Sequence, residues 1–400
     1  MKHIDRLLYF SRLIDLIGTP DIKVLTGMRR SGKSELLKSV ISYVRDNVED
    51  SNIIFIDFFD LNYDEIKTYK QLFDYVEKQY HPNKRNFLFL DEVQLCKKFE
   101  LAVNSFHNSQ KYDIYITGSN GELLGGDLAT LFTGRYIELH VFPFSLQEFC
   151  EYYELQPSER ALERYVKEGG LAGSYLYKDE LNRKNYIDNV YQTILTKDLV
   201  KRYRLTDENI VGRVAEFLMY NIGNLTSPNT ISNVMNENHK ITNHVTISRY
   251  IKILCDAYMF YAFKRYDIKG KRYLKTEAKY YINDVGMRYT ELGNKDLDYG
   301  RIYENIVATE LLRRGYRVFV GKLYQKEIDF VAERGNEKIF IQVSDTISDE
   351  TTFQREYAPL AAIKNNYEKI IIARTFHDEY QYEGVRVVNM LDWLIGDVKA

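Results

Sequence analysis

The run Gly27-Met28-Arg29-Arg30-Ser31-Gly32-Lys33-Ser34 constrains this 400-residue chain more than any other feature. It fits the phosphate-loop pattern GxxxxGK[ST] without a mismatch. Its two glycines allow backbone angles that side chains resist, so successive N–H groups can turn inward toward an anion. Lys33 offers a point charge to β- and γ-phosphates, and the Ser34 hydroxyl suits Mg2+. The flanks agree. Ile22–Thr26 reads as a strand, and Leu36, Leu37, Val40, Ile41 and Val44 mark one face of a helix whose positive end meets the loop. The expected cofactors are ATP and Mg2+. The loop residues expected around the nucleotide are Gly27, Arg30, Ser31, Gly32, Lys33, Ser34 and Glu35.

A second element supports the first. Phe87-Leu88-Phe89-Leu90 is an apolar strand ending in Asp91-Glu92. In a Walker B role, Asp91 joins Ser34 in the metal shell and Glu92 polarises the attacking water. A third strand, Tyr112–Thr117, runs into Gly118-Ser119-Asn120. Ser119 and Asn120 are candidates for a sensor of the γ-phosphate or of that water; the alternative for both is a helix cap or turn. Arg135, after Thr133-Gly134, is either a surface charge or a stabiliser of transition-state charge, in its own subunit or a neighbour's. The catalytic candidates are therefore Lys33, Glu92, Arg135, Ser119 and Asn120.

Strands at Ile22–Thr26, Ile53–Phe58, Phe87–Leu90 and Ile114–Thr117 alternate with amphipathic helices, which predicts an α/β unit with a parallel sheet over residues 1–145. Residues 146–225 read as mainly helical. Three distant cysteines exclude a disulfide framework and zinc knuckles, and fit a cytoplasmic setting. No apolar run reaches the length of a membrane span, so no membrane is expected as a partner. The N-terminal MKHIDRLLYFSRLIDLIG carries charges among its apolar residues and reads as an amphipathic helix.

These motifs resemble prokaryotic AAA-type P-loop ATPases that carry a C-terminal domain of unknown function. The resemblance rests on Asp21 to Ser34, on Leu90-Asp91-Glu92-Val93-Gln94, on Ile116 to Asn120, and on Thr133-Gly134-Arg135 followed by Phe142-Pro143-Phe144-Ser145. Their order matches from about residue 15 to 395. It implies binding of ATP and magnesium, and a restriction-endonuclease-like α/β fold for residues 296–400.

Residues 226–295 read as a winged-helix-like domain. Ser227-Pro228-Asn229-Thr230 starts one helix, Thr246–Ala257 forms a second, and Tyr258–Tyr266 with Tyr273–Ile282 forms a hairpin turning at Asp267–Arg272. Residues 233–280 carry ten Lys/Arg against four Asp/Glu, so the formal charge of −2 hides a basic stretch. Arg249, Lys252, Lys269, Lys271 and Arg272 suit phosphate contact, which makes DNA a candidate partner; packing or protein contact is the alternative.

In the tail, Glu304 shares a helix face with Val307, Ala308 and Leu311, where a carboxylate is costly unless paired or metal-bound. Strands follow at Glu327–Val331 and Ile339–Ser344. Glu304, Asp329 and Gln342 resemble the metal positions of PD-(D/E)XK nucleases. Ser344 stands where the motif has lysine, which favours a vestigial site; Lys326 and Lys338 are the substitutes considered. Three functions follow: a DNA-associated ATPase motor or remodeller acting as a homo-oligomer, an ATP-driven switch for protein partners, or an ATP-regulated nuclease.

Overall fold

In the computed structural model, residues 4–119, 132, 134–201, 203, 205, 208–237, 242–293 and 298–396 are described. The chain forms two compact units. The first comprises Met1–Pro143 with Asp256–Tyr258, and the second Phe144–Cys255 with Met259–Ala400.

The first unit is built on β1 (Ile22–Thr26), which is buried at every position. β2 (Ser51–Asp57), β3 (Arg85–Asp91), β4 (Tyr112–Thr117) and β5 (Tyr136–His140) complete a sheet of order β2-β3-β4-β1-β5. Every pairing in it is parallel. Period two sends Phe87 and Phe89 to one face and Leu88 and Leu90 to the other. The first face packs on α1 (Leu7–Asp15) and α2 (Lys33–Asn47), through Tyr9, Leu13, Leu36, Leu37 and Val40. The second packs on α3 (Tyr69–Gln79) and α4 (Phe99–Ser109), through Leu72, Val76, Val103 and Phe106. Both faces are thus covered, as continuous apolar strands require.

The second unit is helical first: α5 (Leu146–Tyr153), α6 (Glu159–Glu168), α7 (Glu180–Thr193), α8 (Glu208–Tyr220), α9 (Pro228–Met235) and α10 (His244–Asp256). The hairpin β6 (Phe260–Asp267) and β7 (Arg272–Ile282) follows, then α11 (Val285–Leu292) and α12 (Tyr299–Arg313). The remainder is β8 (Arg317–Leu323), β9 (Lys326–Arg334), β10 (Glu337–Ser344), α13 (Glu350–Ala361), β11 (Glu368–Ala373), β12 (Tyr380–Tyr382), β13 (Val385–Asn389) and α14 (Met390–Ile395).

Two helices and a hairpin occur where the sequence places them, with Ser227 capping α9. The hairpin, however, is not a free wing. β6 pairs in parallel with β8, and the sheet runs β12-β13-β11-β10-β9-β8-β6-β7. This sheet crosses the boundary expected at 295/296. The reason lies in the aromatics of β6: Phe263 packs on Phe330 at 5.9 Å and Tyr266 on Phe319 at 6.2 Å. Joining β8 within one sheet gives these aromatics side-by-side partners. Among the described residues, no helix is long and apolar enough to cross a membrane.

One charge sits inside the first unit. Lys23, the second residue of β1, has no exposed surface, and its Nζ donates to Asp113 Oδ1 (2.6 Å) and Thr19 O (2.7 Å). Burial lowers its pKa, with Asp113 opposing. Removing one partner of such a pair strands the other charge. Asp113→Ala should therefore cost about 3–5 kcal/mol in urea denaturation, and combining it with Lys23→Met should recover part of that loss.

Candidate functional site

The phosphate loop leaves the C-terminal end of β1. Gly27 has φ +141°, and a Cβ there would lie 2.2 Å from the Val141 carbonyl oxygen, so only glycine fits beside the chain leaving β5. Arg30 (φ +66°) and Gly32 (φ +98°) are also left-handed, which curls the loop before α2 starts at Lys33. Lys33 is buried, and its Nζ donates to the carbonyls of Gly27 (2.9 Å) and Met28 (3.0 Å). Ser31 Oγ is buried and finds no hydrogen-bond partner within the protein. A hydroxyl left over inside a loop of inward N–H groups fits a phosphate oxygen. Arg30 and Glu35 are exposed, and Glu35 pairs with Lys38 at 2.9 Å.

Parallel pairing brings the ends of β3 and β4 to the same edge. Asp91 is 2% exposed and hydrogen-bonds to the hydroxyls of Thr117 and Ser34. Burial pushes its pKa up, and those two hydroxyls pull it down. Glu92 adopts φ +56°; its N–H donates to Thr117 Oγ1 (2.9 Å), and its carboxylate accepts from Ser119 Oγ (3.1 Å) and Gln94 Nε2. Ser34, Asp91, Glu92 and Ser119 are thus brought together, with Thr117 and Gln94 beside them. The donor set fits Mg2+, which commonly takes one or two carboxylates together with substrate phosphates rather than an all-protein cage.

One expected site residue, Asn120, lies outside the described residues. Arg135 sits elsewhere. Its carbonyl accepts from Ile22 N (2.9 Å), at the start of β1, and its side chain is exposed. The phosphate loop follows the other end of β1, roughly 15 Å away at about 3.3 Å per residue. That distance keeps the Arg135 side chain out of its own chain's nucleotide site and corrects the reading of a stabiliser acting in cis.

A partly buried polar group that the sequence did not flag lies behind the loop. His140 Nδ1 is 3.0 Å from Thr26 Oγ1, which donates to Glu138 Oε1 at 2.6 Å. The ring packs on Phe142 (4.6 Å) and on Tyr258 (4.4 Å). Burial, helped by the charge on Lys33, pushes the His140 pKa down to about 3, so the ring is neutral beside the lysine.

In the second unit, Glu304 and Asp329 also meet, around a lysine. Lys279 of β7 is 3% exposed; its Nζ contacts Glu304 Oε1 (2.8 Å), Glu327 Oε1 (2.9 Å) and Asp329 Oδ1 (3.3 Å). Burial works to lower the Lys279 pKa, but the three carboxylates prevail and raise it. Burial, then Asp329, pushes Glu304 up. Gln342 accepts from the Asp329 N–H (2.7 Å) and donates to Glu356 Oε2 (2.9 Å). Ser344 turns away to bond Thr346 O. Neither lysine considered as a substitute serves: Lys326 bonds Ala358 O, and Lys338 pairs with Glu333. The cation beside these acids is Lys279, which the sequence reading assigned to a different domain. Glu356 was detectable by the test that found Glu304, since it shares the buried stripe Phe353, Glu356, Leu360. Among the described residues, no group of three or more His, Cys, Asp or Glu is placed to hold a metal ion. The bases Arg249, Lys252, Lys269, Lys271 and Arg272 are all exposed.

Residues 19–150, which contain the whole nucleotide-site candidate, match the family model of an AAA domain, and residues 159–298 match a domain of unknown function. An uncharacterized protein of Haemophilus influenzae is 37% identical over 398 residues, 98% of each chain; this chain belongs to its family. A second uncharacterized protein, from Methanocaldococcus jannaschii, is 27% identical over 84% of this chain and 77% of its own. Among solved structures, Cdc6p from Pyrobaculum aerophilum is similar with a TM-score of 0.33 and 11% identity, covering 77% of this chain and 96% of that one. AMPPCP-bound DnaA from Aquifex aeolicus is similar with a TM-score of 0.32 and 16% identity, covering 62% and 87%. Likeness at that level assigns neither fold nor role.

The neutral His140 has a consequence for acid stability. Its pKa is lower in the folded chain, so its contribution is present above the unfolded value near 6.5 and is lost as pH falls toward about 3. Between pH 7 and pH 4 the wild type should lose roughly 3 kcal/mol more than His140→Gln, read from urea denaturation at each pH.

Proposed function

We propose that this chain is a Mg2+-dependent ATPase whose reaction takes place where the phosphate loop meets the ends of β3 and β4. The observation that carries this reading is the hydrogen-bonded meeting of Ser34, Asp91, Thr117, Glu92 and Ser119 at one sheet edge. In this reading Lys33 leaves the Gly27 and Met28 carbonyls for the β- and γ-phosphates, and the free Ser31 hydroxyl donates to a phosphate oxygen. Ser34 and Asp91 hold Mg2+, which when bound offsets phosphate charge. Thr117 fixes both acids through one hydroxyl, donating to Asp91 and accepting from the Glu92 N–H. Glu92, oriented by Ser119 and Gln94, takes the proton from the attacking water.

Lys33→Ala should lose ATP binding in a fluorescent-nucleotide titration. Glu92→Gln should bind normally and turn over at least a hundredfold more slowly, in line with the loss of a general base. Ordinary binding by the first variant, or ordinary turnover by the second, would remove the residue from its role.

A DNA-associated role is the second part of the proposal, supported by the exposure of Arg249, Lys252, Lys271 and Arg272. Phosphodiester cleavage is not proposed, because Lys279 already occupies the space among the acids of the second unit. DNA should stimulate ATP turnover severalfold, and Arg249→Glu with Lys252→Glu should blunt the effect. Turnover indifferent to single- and double-stranded DNA would end the DNA role and leave the ATPase standing.

A further inference from the structure

Arg6 lies just before α1 and belongs to none of the nucleotide motifs, yet it is 6% exposed and reaches the phosphate loop. Its Nη1 donates to the Ser31 carbonyl at 2.8 Å, and its Nη2 to the Phe142 carbonyl at 2.8 Å. The guanidinium lies 4.6 Å from the centre of the Tyr9 ring, and the Tyr9 hydroxyl accepts from Phe142 N (3.2 Å). A left-handed backbone at Arg6 itself (φ +42°) starts the helix that carries Tyr9. A buried guanidinium, two carbonyls and a ring therefore fasten the N-terminal segment, the phosphate loop and the chain leaving β5 to one another.

The chemistry of the peptide bond makes the Ser31 contact consequential. Ser31 C=O and Gly32 N–H belong to one planar trans unit, so they point in opposite directions. A donor that holds the oxygen on the protein side turns the N–H to the other side. We infer that Arg6 is a positioning residue of the nucleotide site: by holding the Ser31 carbonyl, it aims the Gly32 N–H at the phosphates. The inference rests on the ATP-binding reading above. Gly32 suits this arrangement, since a Cβ on it would come within 3.3 Å of Arg6 Nη1. Two other loop carbonyls, of Gly27 and Met28, are held by Lys33, which must release them to meet a phosphate. Arg6 has no such second task, so its grip can persist through nucleotide exchange. Lysine could not do the same, because a single ammonium lacks the planar fork that spans two fixed carbonyls.

The test uses the full chain and compares wild type, Arg6→Lys, Arg6→Ala and Lys33→Ala. It measures fluorescent-ATP binding and the KM and kcat of ATP hydrolysis. Arg6→Ala should weaken ATP binding and raise KM roughly ten- to hundredfold, the scale of a misplaced contact group. Arg6→Lys should fall between. Guanidinium chloride at tens of millimolar should restore part of the affinity to Arg6→Ala and none to Lys33→Ala, a response that general loosening of the fold would not give. Should Arg6→Ala not fold, Arg6→Lys alone decides, and a wild-type KM in that variant overturns the inference. Wild-type affinity in Arg6→Ala, or loss of affinity without rescue by guanidinium, overturns it too, while Lys33→Ala still reports on the site. Failure of the wild type to bind ATP would instead overturn the reading on which it rests.

Discussion

Everything at the nucleotide-site candidate depends on the parallel pairing of β1 with β4 and β5. Because all three strands run the same way, the phosphate loop, the end of β4 and the exit from β5 gather at one edge. β4 in turn places β3 one strand further out. That gap is closed by a side chain rather than by the backbone. Thr117, fully buried, accepts from the Glu92 N–H and donates to Asp91, so one short residue sets two acids. The same rule of direction explains why Arg135 is remote: it enters β5 at the strand start, and the site lies at strand ends.

Burial governs the electrostatics of both units, with different outcomes. Lys23 and Lys279 are both nearly sealed from solvent. Lys23 touches the Asp113 carboxylate and feels Asp21 as well, yet the desolvation of its ammonium prevails. Lys279 faces three, and their attraction prevails. His140 is held neutral by burial and by the cationic Lys33 beside it. Each outcome follows from setting the nearby charges, of either sign, against the cost of removing the group from water.

What could be read in advance was what sits close together along the chain. The phosphate loop, its strand and its helix occupy a single stretch, and β1 covers the expected residues Ile22–Thr26. The acidic end of β3 was equally plain. Arg6 and Ser31 are 25 residues apart, Arg6 and Phe142 136 apart, and Lys279 and Asp329 50 apart. No local pattern encodes such pairings, because they depend on which strand lies beside which. The hairpin shows the same limit. Its two strands were visible as aromatic alternation, but their partner β8 lies across a run of two helices, and a hairpin beside a helix pair invites a wing reading.

The three residues Asp256–Tyr258 make the first unit discontinuous. The polypeptide leaves that unit after Pro143, returns at Asp256, and leaves again after Tyr258. A fragment ending at residue 143 would therefore lack the Tyr258 ring that covers His140. A fragment beginning at residue 144 would carry three residues that belong elsewhere. No single cut separates this chain into its natural halves.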